Sequence, residues 1–333
     1  MAKILAVRFS ALGDVAMTVA ALESFAHCYP DDDITLLSRP FMKPLVENLP
    51  PNVHFRAVKL DDYKGLGGLR RLSRELLAED YDVLIDWHDV LRSKVIRYFF
   101  RRAGRKVAVI DKGRKERRML TRRKNKQLVP LTPVPVRYAN TLAAAGFPIN
   151  LESAKVRKGD NAGVKDSTEI GIAPFAAHKG KVWPLPLMKE TIDILAEDMH
   201  TKIYLFGSGS EEREWCEARE SEHSNVVSMV GKSKLSDELC LMGRMDVMVT
   251  MDSSNMHLAA LAGTKTLSIW GATHPLAGFA GMPVEGSQMM QADLECRPCS
   301  IFGNKPCRYG DYHCLTAIKP KDVAERILKI VSP

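Results

Sequence analysis

Short apolar runs alternate along this chain with stretches whose apolar residues recur every three to four positions. The first half reads as strand Lys3–Phe9, helix Asp14–His27, strand Ile34–Ser38, short helix Met42–Asn48, strand Val53–Val58, helix Leu66–Ala78, strand Asp82–Trp87, helix Val90–Phe100 and strand Val107–Ile110. A Pro-rich stretch then leads into a helix ending near Ala145, and the polar segment Gly146–Thr168 has the composition of a linker. A second series follows: strands Glu169–Pro174, Lys202–Phe206, Val226–Met229, Val247–Met251 and Thr266–Trp270, with helices Leu187–Asp198, Glu211–Ser221, Asp237–Met242 and Asn255–Ala262 between them and Val323–Val331 at the end. Strands alternating with helices predict parallel sheets covered on both faces, here two doubly wound α/β domains of similar size. No fixed-period repeat interrupts either series.

The 333 residues suit two domains, each with its own core, and 45% hydrophobic with 26% charged residues is an ordinary soluble composition. No apolar run approaches the roughly 18–20 residues of a membrane span. The opening MAKILAVRFSALGD is too short in its apolar part for a signal peptide, so the cytoplasm is the expected location. Net charge is +8, unevenly placed: between Arg101 and Lys126 stand 13 Lys/Arg against Asp111 and Glu116, a segment charge of +11 that leaves −3 for the remainder. Such a segment suits a polyanion, whether nucleic acid, an anionic membrane surface or a phosphorylated substrate, or is a solvated loop.

Open α/β sheets bind ligands at the carboxyl ends of their strands, so the residues following each strand carry the search. After the first strand comes Ser10-Ala11-Leu12-Gly13-Asp14, where Asp14 is either a cap of the next helix or a carboxylate able to take a proton from a hydroxyl. After the first strand of the second half, residues 176–184 read Ala-Ala-His-Lys-Gly-Lys-Val-Trp-Pro, a diphosphate contact or a basic surface loop. Phe206-Gly207-Ser208-Gly209 enters a helix at Glu211. Residues 252–260, Asp-Ser-Ser-Asn-Met-His-Leu-Ala-Ala, open a helix whose bare N–H groups favour phosphate, with His257 one turn in.

Ser-Ala-Leu-Gly-Asp at 10–14, Lys-Val-Trp-Pro at 181–184, Phe-Gly-Ser at 206–208 and Asp-Ser-x-x-x-His-Leu-Ala-Ala at 252–260 together resemble the ADP-heptose:lipopolysaccharide heptosyltransferases of glycosyltransferase family 9. The resemblance spans nearly the whole chain and implies a GT-B fold, two Rossmann-like doubly wound parallel-sheet domains facing a central cleft. Residues 1–160 would hold the acceptor and 161–333 the nucleotide sugar, with the last helix a candidate to pack back on the first domain. It implies inverting, metal-independent transfer of a heptose or related sugar from an ADP-activated donor to a hydroxyl of the phosphorylated lipid A–Kdo inner core. Asp14 would be the general base and Lys181 the diphosphate contact. Asp252, Ser253, Ser254 and His257, with Ala176, Ala177, Gly207, Ser208 and Glu211, would line the donor site. Ser10 and Gly13 fall on the acceptor side. Arg114, Lys115, Arg117, Arg118, Arg122 and Arg123 would meet the acceptor's phosphates or the cytoplasmic face of the inner membrane. The chain departs from the family in carrying Ser254 where glycine is usual, and Ala176 and Ala177 where hydroxyl residues often precede the lysine.

Four of the seven cysteines fall late, as Cys296-x2-Cys299-x7-Cys307-x6-Cys314. In a cytosolic chain the first pair has zinc spacing and the second is loose, so structural zinc, free thiols and disulfides all stand, and the chemistry needs no cofactor. The competing functions are a GT-B enzyme of other chemistry, such as a nucleotide-sugar epimerase, and a non-catalytic polyanion-binding protein. No signature of specific nucleic-acid recognition accompanies the basic stretch.

Overall fold

The computed structural model describes residues 1–151 and 166–332. Much of the expected linker therefore lies outside the described residues. The chain divides into two units, one holding Met1–Lys112 and residues 132–151, the other Gly113–Leu131 and residues 166–332.

The first unit is built on strands β1 (Lys3–Val7), β2 (Asp33–Ser38), β3 (Val53–Ala57), β4 (Val83–Asp86) and β5 (Lys106–Val109), all parallel, in the order β3-β2-β1-β4-β5. Ile4, Leu5, Ala6 and Val7 of the central strand are all fully buried, the expected result when helices cover both faces of a parallel sheet. One face packs Leu5, Val7, Leu37 and Leu84 against Leu72 and Leu76 of helix α3 (Gly65–Ala78) and Ile96 and Phe100 of α4 (Leu91–Arg102). The single helix expected over Asp14–His27 is two, α1 (Leu12–Ala16) and α2 (Val19–Cys28). At Thr18 the backbone N–H and the hydroxyl both donate to the Val15 carbonyl, tightening the turn and breaking the helical ladder. Pro40 and Pro44 likewise turn the expected helix at Met42–Asn48 into a 3-10 segment, Pro40–Leu45.

The second unit holds a six-stranded parallel sheet, β6 (Thr168–Ala173), β7 (Thr201–Leu205), β8 (Val226–Ser228), β9 (Val247–Met251), β10 (Thr266–Trp270) and β11 (Gln288–Gln291), in the order β11-β10-β9-β6-β7-β8. Strand β11 escaped the sequence reading because its sequence, Gln-Met-Met-Gln, is an edge segment without a clear apolar alternation. Between the strands run α7 (Leu185–Ala196), α8 (Ser210–Glu222), α9 (Leu235–Arg244) and α10 (Ser254–Leu261), and the chain ends in α11 (His313–Thr316) and α12 (Pro320–Val331). Helix α12 buries Val323, Ala324, Ile327 and Ile330 in the core that holds Met188, Ile192 and Leu195 of α7, so the last helix is part of the second unit. Truncating Ile327 to Ala there would cost about 2–5 kcal/mol.

The basic stretch is divided between the units, its first part, Arg101–Lys112, staying with the first. Residues 113–131 group with the second unit and include a helix, α5 (Arg114–Leu120), separated from α6 (Val134–Ala144) of the first. Within that segment Arg117 lies over the rings of Phe279 (4.8 Å) and Phe302 (5.9 Å), and Leu131 N–H donates to the Leu276 carbonyl. Lys126 Nζ donates to the carbonyls of Glu295, Cys296 and Arg297 at 3.1, 2.8 and 3.0 Å.

Candidate functional site

In each sheet the strand order reverses direction between two central strands, β1 and β4 in the first and β6 and β9 in the second. Ligands of doubly wound sheets sit outside the carboxyl ends of such a pair, and the motifs at 10–14, 181–184 and 252–260 follow β1, β6 and β9, while Phe206-Gly207-Ser208 follows the neighbouring β7.

In the first unit Asp14 is the third residue of α1. Its Oδ2 accepts from the Ala11 N–H at 3.2 Å and pairs with Arg8 Nη2 at 2.7 Å. Arg8 is buried, and its Nη1 donates to the Trp87 carbonyl at 2.8 Å. Asp14 Oδ1 makes no hydrogen bond or ion pair among the described residues, and the side chain is 27% exposed. Ser10 is half-buried and Gly13 buried beside it. From the end of β4 comes His88, whose Nδ1 accepts from the Phe9 N–H at 3.3 Å, an arrangement that leaves the proton of the neutral ring on Nε2. Burial, and then the charges of Arg8, Lys112 and Arg39, push the His88 imidazole down to about 3, with Asp14 opposing. Fully buried Asp86 ties this loop together. Its Oδ1 accepts from the His88 and Asp89 N–H groups at 3.0 and 2.8 Å, and Arg97 lies 3.2 Å from its Oδ2 and 3.1 Å from Asp89. The sequence reading missed Arg8 and His88. The signal for His88 was available, since Trp87-His88-Asp89 follows a strand as the other motifs do.

In the second unit Lys181 Nζ lies 2.9 Å from Asp252 Oδ2, joining the loop after β6 to the end of β9. Asp252 is buried and Lys181 keeps 16% of its side chain exposed. Ser253 takes the N-cap position of α10, and its hydroxyl is buried without a hydrogen-bond partner, like that of Thr250 on β9. Ser254 and a buried His257 follow in the first turns of α10. The N-terminus of this helix therefore offers backbone N–H groups, one unspent hydroxyl and an ammonium, the groups a diphosphate needs. Ala176 packs against the core and Ala177 is exposed, so neither supplies a polar contact from its side chain. In the turn after β7 the Ser208 N–H donates to Glu212 Oε2 at 2.7 Å. A Cβ on Gly207 would meet that oxygen at 2.9 Å and the Phe175 ring at 3.0 Å, so the closed turn requires glycine. Glu212 thus closes the turn, while Glu211 is exposed with no hydrogen bond or ion pair among the described residues.

The Cys-rich segment forms the back of the Lys181 loop. Trp183, fully buried, donates from Nε1 to the Leu315 carbonyl at 3.1 Å, and Ala272 N–H donates to the Gly180 carbonyl at 2.8 Å. Gly303, at φ +74°, approaches Lys181 so closely that a Cβ would lie 2.6 Å from Lys181 Cγ. Arg297 anchors the segment through five acceptors, the carbonyls of Trp270, Gly271, Thr273 and Ala292 and the side chain of Gln291.

Cys296, Cys299, Cys307 and Cys314 all line one cavity of about 180 Å³, together with Asp311 and His313, and none is in a disulfide. Burial raises the Cys314 thiol to about 11 and lifts Cys299 as well. Four thiols suit a soft cation, but no three sulfurs lie within 4.8 Å of one another, so a tetrathiolate cage requires them to draw inward. Among the described residues the trio at that spacing is Asp193, Glu222 and His223, where Lys189 and Arg219 already neutralise the carboxylates.

Of the basic residues, Arg114, Lys115, Arg118, Arg122 and Arg123 are exposed, whereas Arg117 is half-buried and committed to its two rings. No helix among the described residues is long and apolar enough to cross a membrane.

Two doubly wound parallel-sheet units, each with a polar cluster at its switch point, define the GT-B class of glycosyltransferase fold. The sequence pattern of glycosyltransferase family 9 (heptosyltransferase) matches residues 69–313, well over half of the chain, and the chain belongs to that family. A lipooligosaccharide heptosyltransferase 2 of Campylobacter jejuni is 26% identical over 136 residues, which cover 40% of this chain and 42% of that protein. The chain thus spans about two fifths of that relative in the aligned stretch. The crystal structure of a glycosyl transferase family 9 protein from Veillonella parvula superposes with a TM-score of 0.74 at 18% identity, covering 99% of this chain and 97% of the other. An ADP-heptose lipopolysaccharide heptosyltransferase II of E. coli follows at 0.73 and 19%, covering 99% and 98%.

Proposed function

We propose that the chain transfers a heptose or related sugar from an ADP-activated donor to a hydroxyl of a phosphorylated lipopolysaccharide inner core, with inversion at the anomeric carbon. The observation that carries this reading is the Lys181–Asp252 pair at the mouth of α10, beside the unspent Ser253 hydroxyl. Its family context is membership of the heptosyltransferases and likeness to an enzyme whose name specifies ADP-heptose.

In this mechanism Asp14 Oδ1 takes the proton of the acceptor hydroxyl as its oxygen attacks the anomeric carbon. Help of this kind is worth about 10²–10⁴-fold. The bond from that carbon to the ADP diphosphate breaks, and negative charge grows on the leaving oxygens. Lys181, the N–H groups opening α10 and Ser253 meet that charge. The exposed residues Arg114, Lys115, Arg118, Arg122 and Arg123 meet the acceptor's phosphates and hold the protein at the cytoplasmic face of the inner membrane.

Purified protein incubated with ADP-heptose and a heptose-deficient lipid A–Kdo acceptor should release ADP and add one heptose to the acceptor by mass. ADP release without sugar transfer, or a change of the sugar without acceptor, would place the chain in a different chemistry.

Cys296, Cys299, Cys307 and Cys314 are the residues that would hold a structural zinc, which would brace the Lys181 loop from behind. Metal analysis of purified protein should find about one zinc per chain, lost in Cys299→Ser. Metal-free protein of unchanged melting temperature removes the zinc from the scheme.

A further inference from the structure

Resting on the reading of Asp14 as the base, we infer that Arg8 is the positioning residue that divides the two Asp14 oxygens between holding and reacting. Its guanidinium uses two prongs. Nη1 is tied to the Trp87 carbonyl at 2.8 Å, and Nη2 lies 2.7 Å from Asp14 Oδ2. The Ala11 N–H takes the same oxygen at 3.2 Å. Oδ2 is therefore engaged twice, while Oδ1 makes no hydrogen bond or ion pair among the described residues.

A carboxylate on a short side chain rotates about χ2 unless one oxygen is fixed. A buried guanidinium anchored at its far prong to backbone fixes it with little further loss of entropy, because the planar fork is already oriented. The anchor comes from the end of β4 and the carboxylate from the start of α1, so Arg8 sets Asp14 against the paired strand at the switch point. A lysine ammonium keeps the charge but lacks the fork that spans both partners. General-base catalysis depends on such placement, and a displacement of about 1 Å is enough to cost roughly 10²-fold.

The test uses Arg8→Met, Arg8→Lys and Asp14→Asn in the full-length protein, with transfer from ADP-heptose to the lipid acceptor followed by ADP release. Arg8→Met should lower kcat about 100-fold and Arg8→Lys about 10-fold, with the KM for ADP-heptose within twofold of wild type in both. That split separates positioning from general damage, since a merely structural role would move both constants or neither. If Arg8→Met does not fold, as judged by circular dichroism and ADP binding, Arg8→Lys decides alone. A kcat of Arg8→Lys within twofold of wild type then overturns the inference. Where both variants fold, wild-type kcat in Arg8→Met overturns it. Asp14→Asn separates the two levels: near-full activity there removes the base reading itself, whereas an inactive Asp14→Asn beside fully active Arg8 variants removes only the role of Arg8.

Discussion

Lys181 Nζ stands 2.9 Å from Asp252 Oδ2, and this contact joins the first and fourth strands of the second unit at the point where their order reverses. The pair is buried on the aspartate side and open on the lysine side, so the ammonium is held in place yet reachable by an anion. Removing it by Lys181→Ala should lower kcat by about 10²–10³-fold, the usual loss when one group facing a developing anion is deleted. Steady-state ADP release checks this, and Lys181→Arg should recover part of the rate because it restores charge but not shape.

Gly303 bears on the same lysine. At φ +74° any side chain is strained by about 1–2 kcal/mol, and a Cβ would press on Lys181 Cγ. Gly303→Ala should therefore raise the KM for the nucleotide sugar several-fold with a modest drop in melting temperature. Titration of ADP by calorimetry provides the independent check. Unchanged ADP affinity would mean that the lysine tolerates the displacement.

His88 gives the fold a pH dependence of defined sign. Its imidazole, ordinarily near 6.5, is pushed down to about 3 by burial and by Arg8, Lys112 and Arg39, against the pull of Asp14. Between those values the unfolded chain binds the proton and the folded chain does not. Stability therefore rises with pH across that window and is lost as pH falls through it, by an amount on the order of a few kcal/mol. His274, held down by burial and by Arg297 and Lys126, adds in the same direction. Melting temperatures measured from pH 4 to 7 should fall steeply toward acid in the wild type and less steeply in His88→Gln.

The exposed part of the basic segment should bind anionic lipid, while Arg117 should not contribute. Each Lys or Arg near an anionic surface is worth roughly 1 kcal/mol. Replacing Arg114, Arg118, Arg122 and Arg123 with Ser should lower cosedimentation with phosphatidylglycerol vesicles by at least 100-fold in partition constant. Arg117→Ser should instead lower the melting temperature by uncovering Phe279 and Phe302. Equal vesicle binding by the fourfold variant would separate the segment from any membrane role.

The sequence by itself determined the alternation of strands and helices, because a strand buried on both faces must be almost wholly apolar, as Ile4–Val7 is and as Val247–Met251 is apart from Thr250. It also determined where the motifs lie, since Asp14, Lys181 and Asp252 all fall in the segments that connect β1, β6 and β9 to their next helices or in the first turn of those helices. Those are local properties, written in neighbouring residues. Tertiary structure decided the rest. It chose Glu212 over Glu211 to close the β7 turn, assigned the 113–131 segment and α12 to the second unit, and committed Arg117 to two rings. It joined Arg8 to the Trp87 carbonyl and the Phe9 N–H to His88, each bond spanning 79 positions of chain. Such pairings depend on which strands lie side by side, and burial then sets the charge and direction of every polar group they enclose.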